Sequence, residues 1–357
     1  MLNHQRKFSV TCLTLVCLGI HVVSTWAQTT VSTTPNGYFT LTIPAGTGVG
    51  SNVTVLSLPL QGVAAASGQM AGVITSLTAN TITNSNAGWT ASQLSAPITP
   101  YLLQVTSGTA AGRTFLLSTS TANTATTVTL DPTDATQTNL TTLGIVAGTD
   151  TYQIIPADTI SNIFGTPATT GILGGTSPTT PTPADRVQIL LGNGWNSFYY
   201  NTNTNHWTLT SFPNTVGDYI VIRPDTGVVY NRYGNTALSL VVTGQVPSVA
   251  RQATVANNGI AVISNNWPVD QTLTTSNIQN LPGWLSGSSS TNADLVQILA
   301  GNGWQQYYYN GSHWILVAFP HTQGDSVTIP AGSIAYILKK GTTSGYSILT
   351  QALPYSL

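Results

Sequence analysis

Apolar and polar residues alternate in two stretches of the chain that repeat one another. The first, ADRVQILLGNGWNSFYYNTNTNHWTLTSFPNTVGDYIVI, begins at Ala184, and the second, ADLVQILAGNGWQQYYYNGSHWILVAFPHTQGDSVTI, begins at Ala293. Alternation with a period of two is typical of β-strands that have one buried face. The stretches differ in length where NTNTN stands opposite NGS, and a length change is best tolerated at an exposed hairpin tip. The repeat therefore predicts a duplicated β-hairpin.

Alignment of the two copies predicts which side chains of the hairpins face a core. The Gly-Asn-Gly triplets that begin at Gly192 and Gly301 contain residues that tolerate a positive φ, as a tight turn requires. In the return strand, Trp207 and Trp314 occupy equivalent positions and alternate with residues of the opposite face. We therefore predict that these two tryptophans fill a hydrophobic core and that the opposite face is more apolar in the second copy.

Fainter similarity extends the repeat on both sides and predicts the domain organisation. VTVLSLPL, from Val53, resembles IAVISNNWPV, from Ile260, and GQVP, from Gly244, resembles QALP, from Gln351. We predict an all-β chain with two related β-sandwich-like modules, the first interrupted by an inserted small β-barrel or sandwich unit. The predicted boundaries are 28–60 and 156–247 for the split first module, 61–155 for the insert, and 248–357 for the second module, whose repeat core begins at 293.

Signals for helices are weak along the whole chain. Only residues 159–164 and 271–281 predict a short helical turn, and residues 171–183, GILGGTSPTTPTP, have the composition of a linker or a surface loop.

Composition supports a folded all-β protein with few charges. Charged residues make up 5% of the chain, against a usual value of roughly 25%, and glutamate does not occur. Disordered chains combine low hydrophobicity with high net charge, whereas here hydrophobic residues make up 41% of the chain. Because Thr, Val, Ile, Tyr and Trp favour strands while Gly, Asn and Pro favour turns, the composition agrees with the strand pattern.

The first 27 residues are predicted to be a signal peptide. Arg6 and Lys7 precede an apolar run, and Ala27 ends a small-residue cleavage site. Both cysteines, Cys12 and Cys17, lie in this segment, so the exported chain is expected to contain no thiol, disulfide or cysteine-based metal site. Removal of the segment leaves seven basic residues against ten Asp, without the basic cluster that nucleic-acid binding requires. No later apolar stretch reaches the roughly 18 residues of a membrane-spanning helix.

The order of these phrases resembles that of a known group of proteins. The opening GYFTLTIPAG, the stretches NTITNSNAGWT and SGTAAGRTFLLSTSTANTATTVTLDP, and the GNGW and HW phrases of the repeat follow the leader in turn. This arrangement is similar to a family of uncharacterised exported bacterial β-rich proteins, known mainly as a conserved sequence model, and the similarity spans nearly all of the chain after the leader. The family has no established activity, so the resemblance implies no catalytic residue.

The repeat contains few side chains suited to catalysis. Asp185, Asp218, Asp294 and Asp325 are the only carboxylates within both copies. Hydrolysis of a glycosidic bond usually needs two carboxylates at a controlled separation. Here each Asp either precedes a strand or stands in a Gly-Asp turn, where a carboxylate commonly binds backbone amides. No HxH or HExxH spacing indicates a metal site, and no cofactor is predicted.

The sequence favours a secreted or cell-surface structural or adhesive protein that is not an enzyme. Its low charge weakens the usual protection of strand edges, so self-association and binding to cell-surface or matrix components are expected. A first alternative is a carbohydrate-binding protein, because exposed aromatic rings stack on sugars and amides bind sugar hydroxyls. The residues expected to bind a polysaccharide lie at the hairpin tips: Tyr199, Asn201, His206, Tyr308, Asn310 and His313. A second alternative is a glycan hydrolase that uses Asp218 or Asp325.

Overall fold

Strands dominate the protein, as the alternating pattern predicts. The structure is a computed structural model that describes residues 35–63, 69–177, 183–191, 194–301 and 303–356, without the side chains of 135–137. Strands account for 42% of it and helices for 6%, so the all-β prediction is confirmed. The predicted signal peptide, with both cysteines, lies outside the described residues. Within those residues no helix is long and apolar enough to cross a membrane.

The described part of the chain contains 24 strands. The first fifteen are β1 Asn36–Ile43, β2 Asn52–Leu56, β3 Ala71–Val73, β4 Ser76–Leu77, β5 Thr81–Thr83, β6 Tyr101–Val105, β7 Thr114–Leu116, β8 Thr127–Thr129, β9 Thr151–Pro156, β10 Arg186–Leu191, β11 Gly194–Asn201, β12 His206–Leu209, β13 Phe212–Val216, β14 Val228–Arg232 and β15 Leu238–Gln245. The others are β16 Arg251–Ala256, β17 Asn258–Asn265, β18 Gln271–Thr272, β19 Leu295–Ala300, β20 Gly303–Tyr309, β21 Trp314–Leu316, β22 Thr328–Ile329, β23 Ser333–Lys340 and β24 Tyr346–Gln351.

The two copies of the repeat build sheets with the same strand order, apart from β13, which is present only in the first sheet. In the first sheet the order is β13-β12-β11-β10-β14-β2, and in the second it is β17-β23-β19-β20-β21. Read through the repeat, β12, β11, β10, β14 and β2 correspond to β21, β20, β19, β23 and β17. Each sheet is accompanied by an antiparallel pair, β1 with β15 in the first copy and β16 with β24 in the second. All strand pairs in both sheets are antiparallel.

The tryptophans of the return strands occupy the two main cores, as the sequence predicts. Trp207 packs among Ile189, Phe198 and Tyr230 in the first core. Trp314 packs in the second core with the equivalent Ile298 and Tyr307, among others. Burial of such aromatic side chains supplies much of the apolar area removed from water on folding.

Residues 71–156 form strands that pair only among themselves in the described part of the chain. Their two sheets have the orders β3-β9-β6-β7 and β4-β5-β8 and enclose a core of their own around Ile82, Phe115 and Tyr152. This unit contacts the second copy where Arg113 forms a parallel bridge with Gln252 of β16. A Cβ on Gly112 would lie 2.1 Å from the carbonyl oxygen of Ala250, so only glycine allows this approach.

The two large sheets meet through the faces opposite their tryptophan cores. Val55 and Val229 of the first sheet form a buried cluster with Val262 and Ile334 of the second. A Cβ on Gly227 would lie 2.4 Å from Cγ2 of Ile334. Gly227 and Ile334 are equivalent through the repeat, because the following residues pair with Ile189 and Ile298. The contact therefore joins related positions, as contacts across a two-fold axis do.

Short helices interrupt the strands at places that the sequence predicts only in part. They are α1 Pro132–Gln137, α2 Ile160–Phe164 and α3 Pro167–Thr170, with 3-10 turns at Leu140–Thr142 and Ile278–Asn280. α2 and the second 3-10 turn lie within the two segments predicted to hold helical turns. α1 and α3 were not predicted, although Asp131 and Thr166 cap them ahead of a proline at the first helical position. The predicted surface loop 171–183 also contributes Ile172 to the first core.

Candidate functional site

The aromatic residues expected to bind a ligand at the hairpin tips are inside the protein. Tyr199 is 0% exposed and Tyr308 is 6% exposed, so the expectation that their rings face solvent is wrong. For Tyr308 the physical reason is that apolar side chains of the neighbouring strands and the segment at Ser288 pack around the ring. Tyr308 packs with Leu295 and Ile315, and its hydroxyl lies 3.5 Å from the carbonyl oxygen of Ser288.

The two asparagines of the tips stabilise the turns. The side-chain oxygen of Asn201, which is also buried, accepts from the backbone N–H of Asn203 at 2.9 Å, and its Nδ2 donates to the Tyr199 hydroxyl at 3.3 Å. The side-chain oxygen of Asn310 accepts from the backbone N–H groups of Ser312 and His313. Both side chains therefore form Asx-type turns and have fewer groups left for a ligand.

The two histidines of the tips each bind an aspartate that follows twelve residues later. Nδ1 of His206 lies 2.5 Å from Oδ2 of Asp218, and Nδ1 of His313 lies 2.6 Å from Oδ2 of Asp325. Each histidine side chain is 47% exposed. The structure thus pairs each histidine with an aspartate, a contact that was not predicted from the sequence.

Each aspartate also binds the backbone of the tryptophan beside its histidine. Oδ1 of Asp218 accepts from the N–H of Trp207 at 2.7 Å, and Oδ1 of Asp325 accepts from that of Trp314 at 2.8 Å. The glycine before each aspartate donates its N–H to the carbonyl oxygen of the same tryptophan. These bonds fix the Gly-Asp turn against the return strand of the hairpin.

The signal for this pair is present in the sequence. A His-Trp dipeptide is followed at the same distance by a Gly-Asp dipeptide in both copies, although the hairpin tips differ in length. The equal spacing reflects the shared geometry of the strand and the turn that follows it. The residues between the dipeptides can vary because only these four positions form the contact.

The geometry of the pair allows limited chemistry. A carboxylate bound to Nδ1 fixes the orientation of an imidazole, as in a catalytic triad. A triad also requires a nucleophile bound to Nε2, and no described side chain hydrogen-bonds to Nε2 of His206 or His313. No group of three or more His, Cys, Asp or Glu side chains lies close enough to hold a metal ion in the described ranges.

The other aspartates of the repeat form buried ion pairs. Asp185 binds the guanidinium of Arg232 and the hydroxyl of Tyr230, and Asp294 binds the ammonium group of Lys339. Burial raises the pKa of Tyr230, which therefore stays protonated and donates to Asp185. Both aspartates also accept backbone N–H groups. The sequence did not predict their cations, which lie more than 40 residues away in β14 and β23.

A second cluster at the surface contains aromatic residues that the sequence did not single out. Trp195 and Trp304, from the GNGW phrase of each copy, are 39% and 40% exposed. Both contact Tyr336 of β23, at the junction between the two large sheets. Equivalent positions in the two copies thus supply two neighbouring, half-exposed indole rings.

No protein-family model, curated protein or solved structure matches this chain. The resemblance to exported bacterial proteins consequently stays an expectation from the sequence.

Proposed function

We propose that the protein is a non-catalytic structural or adhesive component that is exported to the cell surface or extracellular matrix and associates with further copies of itself. The predicted leader supports export. The observation that carries the proposal of self-association is an open cleft between the edges of two strands.

This cleft lies between β1 and β2 and has a volume of about 440 Å³. Its far side consists of Ile298, Leu299 and residues 330–334, and every side chain that lines it is uncharged. In the described part of the chain, β1 pairs only with β15 and β2 only with β14. Each strand therefore presents an edge whose outward N–H and C=O groups can pair with an added strand.

In the second copy, a turn of this chain packs on the equivalent edge through a single bridge. β16 corresponds to β1, and its free edge is covered by Gly112 and Arg113. Backbone N–H of Gln252 donates to the carbonyl oxygen of Gly112, and Arg113 donates to the hydroxyl of Thr254 at 2.8 Å. The open edge of β1 has no such cover among the described residues, so we assign it to a strand of a second copy.

The distribution of charge agrees with close association between copies. Four of the basic residues, Arg113, Arg232, Arg251 and Lys339, are buried. Arg251 lies over the ring of Trp267 and donates to Ser264. Because the few charges of the chain largely serve its interior, little like-charge repulsion keeps two molecules apart.

A lysine in the cleft tests this proposal, since charged edge positions oppose strand addition. Val53 lines the cleft, and its counterpart Ile260 in β17 is exposed outside it. Sedimentation velocity of the purified protein over a concentration series is expected to show self-association. Val53→Lys should weaken it at least about 10-fold, while Ile260→Lys should leave it unchanged.

Two results would contradict the proposal. The wild-type protein could stay monomeric at the highest soluble concentration, or Val53→Lys could associate as strongly as Ile260→Lys. Attachment of the wild-type protein to cells or matrix, compared with both variants, then tests whether association contributes to adhesion.

Hydrolysis of a glycan has less support. Both carboxylate oxygens of Asp218 and of Asp325 bind groups of the protein itself. An acid or nucleophile at either position would have to give up a bond to a histidine or to a tryptophan N–H.

A further inference from the structure

Two equivalent tryptophans of the repeat lie against the same tyrosine. The ring of Trp304 is tilted by 33° against that of Tyr336, with centroids 4.7 Å apart. Trp195 meets the same tyrosine ring edge-on, at 5.7 Å and 82°. Because both contacts are within van der Waals packing distance, Tyr336 fixes the two indoles as near neighbours.

These tryptophans differ from those of the cores. Trp207 and Trp314 are at most 1% exposed, whereas Trp195 and Trp304 leave about two fifths of their surface in water. A large aromatic side chain normally gains free energy by full burial. A pair of half-exposed indoles that a third ring holds in place is an arrangement expected of a binding surface.

Unpaired polar groups lie beside these rings. The Tyr336 hydroxyl forms no hydrogen bond with any described residue, and burial raises the pKa of this phenol, which therefore remains a donor. Gln297 is the direct partner of Tyr336 between β19 and β23, and Gln306 is the partner of Gln297 in β20. Directly paired residues project from the same face of a sheet. The carboxamides of both glutamines also lack a hydrogen-bond partner in the described part of the protein.

Uncharged residues continue around the rings. Leu190 pairs with Trp195, Leu299 pairs with Trp304, and Val262 pairs with Tyr336. Leucine and valine provide an apolar floor, and the glutamines and the phenol provide neutral donors and acceptors. Such a surface has nothing to attract phosphate or carboxylate groups.

We propose that Trp195, Trp304 and Tyr336, with Gln297 and Gln306, form a binding site for an uncharged carbohydrate chain. A pyranose ring has an apolar CH face that stacks on an indole and a polar rim that binds amides and hydroxyls. Two adjacent indoles suit successive sugar units of one chain. Trp195 comes from the first copy and the other residues from the second, so the site requires both copies.

This inference adds a ligand to the proposed structural role. It rests on that role only because a protein at the cell surface or in the extracellular matrix would encounter polysaccharides. Binding does not require self-association, so Val53→Lys should bind carbohydrate like the wild type. If Val53→Lys is monomeric and still binds, the two proposals are separated.

The test uses the purified full protein and a panel of neutral polysaccharides: cellulose, chitin, xylan, mannan and β-1,3-glucan. Alginate and hyaluronan serve as charged comparisons. Retention of the protein on each polymer is measured first. Titration calorimetry and tryptophan fluorescence then measure binding of the oligosaccharide that corresponds to each polymer that retains the protein. We expect at least one neutral polymer to bind and to change the fluorescence.

Variants then locate the site. Trp195→Ala and Trp304→Ala should each weaken binding about 10-fold, which corresponds to the loss of one stacking contact. Tyr336→Phe keeps the ring packing and removes only the hydroxyl, so a loss of about 3- to 10-fold would report a direct hydrogen bond. Phe319→Ala removes an aromatic residue that is 66% exposed elsewhere and should have no effect.

The inference is overturned if none of the neutral polymers binds. It is also overturned if both tryptophan variants, folded as judged by circular dichroism, bind like the wild type. Binding to alginate or hyaluronan alone would show that the ligand is charged and would likewise reject the site as argued.

Discussion

Lys339 donates to Asp294 at 2.5 Å in the interior of the second copy, and both side chains are at most 1% exposed. The first copy places Arg232 and Asp185 in the same relation, likewise buried. The aspartate also accepts from backbone N–H groups in both copies, including that of Leu173 in the first and that of Leu285 in the second. Both copies therefore place a cation at the equivalent position of β14 and β23, because a buried carboxylate without a counter-ion would destabilise the fold.

Removal of this cation should destabilise the whole chain. We expect Lys339→Met to lower the free energy of unfolding by about 3–5 kcal/mol, because Asp294 would be left in the interior without the partner that compensates for its burial. The double variant Lys339→Met/Asp294→Asn should recover part of the loss. Urea denaturation followed by tryptophan fluorescence measures both. Lys340→Met alters the neighbouring, less buried lysine and should cost clearly less; equal losses would contradict the explanation.

The glycine of each Gly-Asp turn should not tolerate a side chain. A Cβ on Gly324 would lie 2.5 Å from Cδ1 of Tyr307, and one on Gly217 would lie 2.4 Å from Cδ1 of Phe198. We expect Gly324→Ala to destabilise the protein by about 1–3 kcal/mol through overpacking. Gly303→Ala is the control, since a Cβ there meets no atom within 4 Å. Thermal denaturation of the two variants should separate them, and similar melting temperatures would count against the packing argument.

Within a histidine–aspartate pair, the aspartate should contribute more to stability than the histidine. Asp325 binds both His313 and the N–H of Trp314, whereas the histidine is about half exposed. We therefore expect Asp325→Ala to cost about 1–2 kcal/mol and His313→Ala less than about 1 kcal/mol. Chemical denaturation measures both values. A larger loss for the histidine variant would show that the imidazole has a structural role that these contacts do not explain.

The strand class, the two hairpins and the core tryptophans could be predicted because period-two alternation and a repeat are local signals. The burial of Tyr199 and Tyr308 could not, because alternation places both rings on the face opposite the tryptophan core without showing whether that face is covered. The cluster of Trp195, Trp304 and Tyr336 could not be predicted either, because Trp304 and Tyr336 lie on non-adjacent strands of one sheet and Trp195 joins them only when the two sheets pack. The pairing of His206 with Asp218 is an intermediate case, since its spacing recurs in both copies.

Asp158 should make the protein less stable as the pH rises from about 4 to about 7. Burial raises the pKa of its carboxyl from 3.8 to about 7, and this group accepts no hydrogen bond from a described residue. Below about pH 4 the carboxyl is protonated in both the folded and the unfolded chain, so it causes no penalty. Between the two pKa values the unfolded chain ionises while the folded chain stays protonated, and stability falls.

The variant Asp158→Asn removes this titration and should therefore change the pH profile. At about pH 8 it is expected to exceed the wild type in free energy of unfolding, on the order of 2–4 kcal/mol, because the wild type then carries a poorly solvated charge. At about pH 4 the two proteins should be similar, since asparagine and protonated aspartate are both neutral. Urea denaturation across this range tests the sign directly. A difference that stays constant with pH, or that favours the wild type at alkaline pH, would show that the carboxylate of Asp158 is better solvated than its surroundings in the fold indicate.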